Sequence, residues 1–411
     1  MSKATTSVIP QIIDRHAEDA AFLWLQRDAA VKEPHYTLTD LVELDDRLNS
    51  HLDGLSVAAE LARAPILKNL EFAEPGEVFV TAWYMMEQAD GELLDTLLSH
   101  CTEANENYRA LLSGIAWHPA SIDFAKILLK ANAQAYQQLG YRLHALFRIR
   151  PTLNVLEPAC ISVNKLRMVG ELGLQELLAD LDTYIDHTDA ELGFWANWSA
   201  ALLGNWQSVA RLVSYVLQQH SLSLNALAIS VRKLSVPEQR NLLGTLSENP
   251  ETMRLAMQGM GYSGDPFWLP MLLTYMDELE LARTAGEAFT LITGLDLAYL
   301  DMDKDWPDGF ESGPNEDPTD DNVELDADLN LPWPDAAKIN GWWQTNADKF
   351  TPGQRYLCGK PISKAQCYEV LRNGYQKQRH AAAIELALMG EPYFNVCAPG
   401  AQQLTKLKAI A

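Results

Sequence analysis

The chain has 411 residues, 47% of them hydrophobic, which is enough to bury a large core and excludes wholesale disorder. Its 55 acidic against 32 basic residues give a formal charge of -23. That charge repels nucleic acid and anionic membrane and favours basic partners.

Apolar residues recur at helical spacing from the start. Ile9, Ile12, Ile13, Ala17, Ala20 and Trp24 line one face of a first helix, with Pro10 where a first turn tolerates it. A second, charged helix lies between Tyr36 and Leu55 and carries Leu38, Leu41, Val42, Leu48, Leu52 and Leu55. Blurrier helix pairs are expected over 55–151. Alternating β-branched runs are nearly missing, so no substantial sheet is expected.

The middle of the chain is repetitive. Apolar stripes from Leu174, Trp206, Leu224 and Leu269 onward are punctuated at Gly170, Gly204, Lys233, Gly261 and Gly294, at intervals of 34, 29, 28 and 33. Each interval holds one antiparallel helix pair. No such pair can bury its apolar face alone, so neighbours must stack into a solenoid. Asp265-Pro266 reads as an N-cap followed by proline in the first turn.

From Asp301 to Asn330 there are 12 acids and one base, Lys304, with Pro307, Pro314 and Pro318 and no helical periodicity. The expectation is an extended acidic loop whose neutralisation leaves folding intact. Order resumes at Leu331-Pro-Trp-Pro, and a strong helix runs from Gln376 to Met389. The fold class expected is all-α, an α-solenoid of HEAT-like helix pairs. Its segments are an N-terminal helical module (1–55), helical repeats (56–298), the acidic loop (299–330) and a helical C-terminal capping module (331–411).

Motifs that carry chemistry fall short. In "GQRYLCGK", Gly353–Lys360, the second glycine comes late for a phosphate loop, and Pro361 replaces the hydroxyl that would bind magnesium. In "DMDKDWPDGFES", Asp301–Ser312, Trp306 replaces the glycine and Ser312 the bidentate Glu of a calcium loop. "GYSGD" lacks the last glycine of a nucleophile elbow, so Ser263 reads as a turn residue. His187 among Asp182, Asp186 and Asp189 reads as a solvated turn. Cys101, Cys160, Cys358, Cys367 and Cys397 include no C-x-x-C pair, which speaks for a reducing compartment. There is no signal-peptide pattern and no run of about 18 apolar residues, so the expected address is the cytoplasm. No catalytic residue, metal or cofactor is expected.

Several stretches carry a resemblance. "GYSGDPFWLPMLL…LARTAGEAFTLITG" resembles short HEAT-like repeats, in which Gly-Asp-Pro opens a helix and an Ala/Gly-rich second helix packs closely. With Val8–Leu55, "LPWPDAAKINGWW", "GQRYLCGKPIS" and "GYQKQRHAAAIELAL", the chain resembles a bacterial family of HEAT-like repeat proteins associated with type VI secretion gene clusters. The resemblance implies a cytoplasmic protein that binds a secreted effector or a spike component, as an immunity protein, adaptor or chaperone. It carries over no residue roles. If the partner is basic, the acidic field speeds association. The residues expected at the interface are Asp301, Asp303, Asp305, Asp308, Glu311, Glu316, Asp317, Asp320, Asp321, Trp333, Trp342 and Trp343. Two other readings remain: an enzyme of the HEAT-like lyase type, and a scaffold of the secretion machinery.

Overall fold

The computed structural model describes residues 9–101, 105–151, 156, 160–310, 312–313 and 325–410. Among them the fold is all-helical apart from four two-residue strands, and no helix is long and apolar enough to cross a membrane. The chain forms two compact units. One comprises Met1–Lys32, Tyr36–Asp180 and Asn395–Ala411, the other Glu33–His35 and Leu181–Phe394. These units do not follow the four segments expected from the sequence, because residues 395–411 lie with the N-terminal helices.

The first unit contains α1 (Pro10–Ala30), α2 (Leu38–Ala58), α3 (Arg63–Leu70), α4 (Pro75–Gln88), α5 (Leu93–Ser99), α6 (Glu106–Trp117), α7 (Ser121–Leu128), α8 (Gln134–Phe147) and α9 (Val163–Glu171). The short α10 (Leu178–Leu181) leads out of it. Thr37 and Asp40 close a capping box at the start of α2, satisfying donors that a helix N-terminus leaves open. The hub is α4, buried on nearly every side. It lies close to its neighbours through glycine: a Cβ on Gly76 would come within 2.6 Å of the Ala21 carbonyl oxygen, and one on Gly114 within 2.4 Å of that of Phe79. Trp24 stacks on Phe79 at 5.2 Å, and its indole donates to Ser113 Oγ at 3.0 Å. The last helix, α21 (Gly400–Ala409), packs on α2. Gly170, expected in a turn, lies inside α9.

The second unit opens with α11 (Ala190–Leu202), α12 (Trp206–Leu217), α13 (Ser223–Lys233), α14 (Val236–Ser247), α15 (Pro250–Ser263), α16 (Leu269–Tyr275) and α17 (Leu279–Thr293). Among sequence neighbours, α11 packs on α12, α12 on α13, α14 on α15 and α16 on α17. In addition α11 packs on α13, α13 on α15 and α15 on α17, so these four form a continuous row. Their near-complete burial follows, since each has a partner on one side and a row neighbour on the other. Gly261 lies within α15 rather than at a turn. A Cβ there would approach Ala288 Cα to 2.9 Å, so its bare backbone sets the spacing of α15 and α17. Asp265 caps the turn that begins at Pro266, accepting from the Phe267 N–H at 3.1 Å.

Beyond α17 come β1 (Asp303–Lys304), β2 (Trp333–Pro334), α18 (Ala336–Asn346), β3 (Tyr356–Leu357), β4 (Lys360–Pro361), α19 (Lys364–Asn373) and α20 (Gln376–Leu388). Strands β1 and β2 pair antiparallel, as do β3 and β4. The β3–β4 hairpin explains the "GQRYLCGK" stretch. Its N–H groups satisfy carbonyls at two helix ends: Tyr356 donates to Gly264 (2.8 Å), Cys358 to Leu291 (2.8 Å) and Gly359 to Ile292 (2.9 Å). Gly264 and Gly294 end α15 and α17 in the left-handed conformation, and a Cβ on either would meet the hairpin backbone at 2.4 and 2.7 Å. Gly353 N–H donates to Asp265 Oδ1 at 2.8 Å. These glycines therefore serve docking of the hairpin.

Candidate functional site

Four elements of the second unit bring charged groups together. Arg232 lies in the last turn of α13, Tyr262 in the last turn of α15, Glu287 midway along α17, and Lys377 and Glu385 on α20. Arg232 and Glu385 are buried and joined by an Arg232 Nε to Glu385 Oε1 bond of 2.9 Å. Arg355, from the β3 strand's approach, also donates to both oxygens of Glu385, and its Nε donates to the Ser263 carbonyl at 2.8 Å. Two guanidinium groups thus share one carboxylate. Such a cluster holds several elements in register through charge-assisted bonds, and losing any member leaves a buried charge uncompensated.

Next to this satisfied cluster stand two groups whose side-chain oxygens make no hydrogen bond among the described residues. The Arg232 guanidinium lies over the Tyr262 ring at 4.9 Å, but the Tyr262 hydroxyl makes no hydrogen bond among the described residues. Glu287 is half-buried and, among the described residues, has neither a hydrogen bond nor an ion pair. Burial pushes its carboxyl above the ordinary range. Lys377 opposes that shift from beyond ion-pair distance, and the Asp328 carboxylate adds to it. Burial likewise raises the Tyr262 phenol, against Arg232 and with Glu287. Two thiols lie nearby. Burial first, then Glu287 and Cys367, push Cys358 up to about 12, and burial with Glu385 pushes Cys367 up to about 12. Both are therefore protonated and unreactive near neutrality. The arrangement can accept hydrogen bonds or a positive charge at Glu287 and exchange a proton there.

Sequence reasoning did not single out Glu287, Tyr262, Arg232 or Lys377. A signal was present: Glu287 interrupts the small and apolar run Ala285-Gly286 and Ala288-Phe289, where a solvated helix face is not expected. That it faces Tyr262 and Lys377 depends on helix packing.

The residues expected at an interface have different fates. Asp301, Asp305 and Asp308 are exposed and Asp303 is half-buried, while Glu311, Glu316, Asp317, Asp320 and Asp321 lie outside the described residues. Trp333 is only 4% exposed, so it is a core residue and no surface anchor. It forms an aromatic cage with Trp306 and Phe310 around the Arg283 guanidinium, whose carbon is 4.6, 5.1 and 5.7 Å from their ring centres. Trp342 and Trp343 are half-buried, edge-on to Phe289 at 6.1 and 6.3 Å.

The acidic segment also departs from expectation. Asp326 Oδ2 lies 2.7 Å from Arg283 Nη1, a charge contact without the alignment of a good hydrogen bond. Asp328 is buried and accepts from Arg254 Nη2 at 2.5 Å and from Thr284 Oγ1 at 3.1 Å. Asp328 is therefore buried and paired and Asp326 is paired with Arg283, which does not fit the expected solvated loop at these two positions. Trp306, at the place where a calcium loop needs glycine, packs on Trp333 at 5.4 Å. Exposed His187 accepts from the Asp189 N–H at 3.0 Å, and Ser263 Oγ, wholly buried, donates to the Met260 carbonyl at 2.6 Å. Among the described residues no group of three His, Cys, Asp or Glu side chains is placed to hold a metal ion.

No protein-family profile, no curated protein and no solved structure gives a significant match to this chain.

Proposed function

We propose that this chain is a HEAT-like helical-repeat protein that binds another protein, and that Glu287 receives a cationic side chain of that partner. The observation that carries the reading is the Glu287 carboxylate itself, set into the row of helices with no donor of its own among the described residues. A desolvated acid lacking a partner costs free energy, and a guanidinium or ammonium group from a partner would offset that cost. The row α11–α13–α15–α17 supports the repeat reading, since each helix leans on the next as solenoid units do. The charge of -23 supports a basic partner. The resemblance to proteins of type VI secretion clusters makes a secreted effector or spike component the partner we propose, with the chain acting as immunity protein or adaptor in the cytoplasm.

The test is calorimetric titration with an arginine-rich and a glutamate-rich peptide, followed by co-expression with effector toxins. Tighter binding of the basic peptide, weakened at least about tenfold in Glu287→Gln and unchanged in Asp305→Asn, is expected; one rim-exposed charge contributes far less. Equal binding by wild type and Glu287→Gln would end the proposal.

A second reading rests on one observation: burial pushes both the Glu287 carboxyl and the Tyr262 phenol above their ordinary ranges, and the Glu287 charge adds to the Tyr262 shift, as suits an acid–base pair. It requires turnover of a small molecule that vanishes in both Glu287→Gln and Tyr262→Phe.

A further inference from the structure

Lys165, in the first turn of α9, is 1% exposed, one of the most deeply buried polar side chains of the first unit. Buried lysines ordinarily face a carboxylate. This one does not. Among the described residues its Nζ has one hydrogen-bond acceptor, the Cys160 sulfur at 2.9 Å, and its other neighbour is the face of the Tyr141 ring, 4.7 Å from the ring centre. Ser162 caps the helix between the two residues, so the five-residue separation is closed by a fixed turn. Cys160 itself is half-buried. Cys160 is thus partly open to solvent, while the Lys165 amine is buried and lies 2.9 Å from its sulfur.

We propose that this pair is an oxidation-dependent modification site, at which Lys165 captures oxidised Cys160 as a covalent nitrogen–sulfur bridge. The oxidant is hydrogen peroxide or another hydroperoxide. In the first step the Cys160 sulfur attacks one peroxide oxygen. A sulfur–oxygen bond forms, the oxygen–oxygen bond breaks and water leaves, so that thiol and hydrogen peroxide give sulfenic acid and one water. Sulfur loses two electrons and the peroxide gains them. In the second step the Lys165 ammonium gives one proton to solvent, and the lone pair so freed attacks the sulfur. The sulfur–oxygen bond breaks, and the hydroxyl departs as water with a proton from the amine, so that sulfenic acid and amine give the sulfenamide R–S–NH–R′ and a second water. No further oxidant is consumed. Sulfenic acids condense with nitrogen nucleophiles held against them, and a thiol reductant reverses the product. The bridge protects Cys160 from irreversible oxidation and ties the start of α9 to the segment before it.

The test is peroxide treatment of the folded chain, followed by tryptic digestion and mass spectrometry. Cleavage after Lys165 should be lost, because its amine is no longer cationic. The resulting peptide, Ile149–Arg167, should weigh two hydrogens less than its reduced form. Dithiothreitol should restore both mass and cleavage. In urea-unfolded chain the bridge should not form, since the amine is no longer held at the sulfur. Lys165→Arg keeps the charge, and its far-ultraviolet circular dichroism reports whether the fold persists. In that variant Cys160 should proceed to the sulfinic acid, two oxygens heavier. Normal cleavage after Lys165 in oxidised wild type, with Cys160 unmodified or carrying two or three oxygens, would overturn the proposal. So would a bridge that forms equally in the unfolded chain.

Discussion

The Asp45 carboxylate accepts a hydrogen bond from the Gly400 N–H at 2.6 Å, across 355 residues of chain. Its other oxygen pairs with Arg27 Nε at 3.0 Å, and the same guanidinium donates to the Cys397 and Ala398 carbonyls at 2.7 and 2.8 Å. One buried ion pair between α1 and α2 therefore fastens residues 395–411. A Cβ on Gly400 would come within 2.6 Å of a Val42 methyl, so the approach is tight as well as specific.

Breaking this clasp should loosen the first unit. Asp45→Ala leaves Arg27 buried without its counter-charge and is expected to cost about 3 kcal/mol in urea unfolding. Gly400→Val should do similar harm through overpacking. Hydrogen exchange over α21 should speed up in both variants.

Glu171 is expected to set the acid limit of the same unit. Burial alone would raise its carboxyl, but Arg142, Arg167 and Arg148 together outweigh burial and hold it far below the ordinary range. Two of the contacts are a fork from Arg142, at 2.6 and 3.2 Å. A carboxyl whose folded value is depressed gives stability that is complete above its unfolded value and disappears as pH falls through the folded one. Glu171→Gln should therefore cost about 3–5 kcal/mol at neutral pH, and progressively less in strong acid. Urea unfolding at a series of pH values checks this; a pH-independent difference would refute it.

At Glu287 the sign is opposite. The folded carboxyl lies above its unfolded value, so ionising it destabilises the fold. The penalty begins as pH rises past the unfolded value and is complete above the folded one. Glu287→Gln should stabilise the fold at neutral pH, by up to about 1 kcal/mol after allowing for its solvent access, seen as a higher melting temperature, and leave stability unchanged in acid. A gain in stability on removing the charge would agree with the binding role proposed for Glu287. A lower melting temperature in the variant would mean that Glu287 is a structural partner after all.

The acidic segment should divide into two classes by mutation. Asp326→Asn and Asp328→Asn remove charges that compensate Arg283 and Arg254, and each should cost about 2–4 kcal/mol. Asp305→Asn and Asp308→Asn, on exposed residues, should stay within about 0.5 kcal/mol of wild type. Thermal unfolding of the four single variants is sufficient to decide.

Local features were legible in the sequence. The helices of 190–294, the proline in the first turn of α1 and the Asp265-Pro266 cap all follow from residues within a few positions of one another. Composition misled at Asp326 and Asp328, because a run of acids reads as solvated unless the partners are known. Arg254 and Arg283 lie more than forty positions upstream and give no sign of pairing with Asp328 and Asp326.

The sequence by itself determined that the chain is helical and where several helices are capped, since caps and the 3.6-residue rhythm act over a single turn, although Gly170 and Gly261 lie inside α9 and α15 rather than at turns. Only the tertiary structure decided which acids are core and which are surface, that Trp333 closes a cage around Arg283, and that Glu287 is left facing Tyr262 without a donor among the described residues. Those outcomes depend on which helix faces meet. Desolvation and charge pairing act between groups brought together by packing, whatever their distance along the chain.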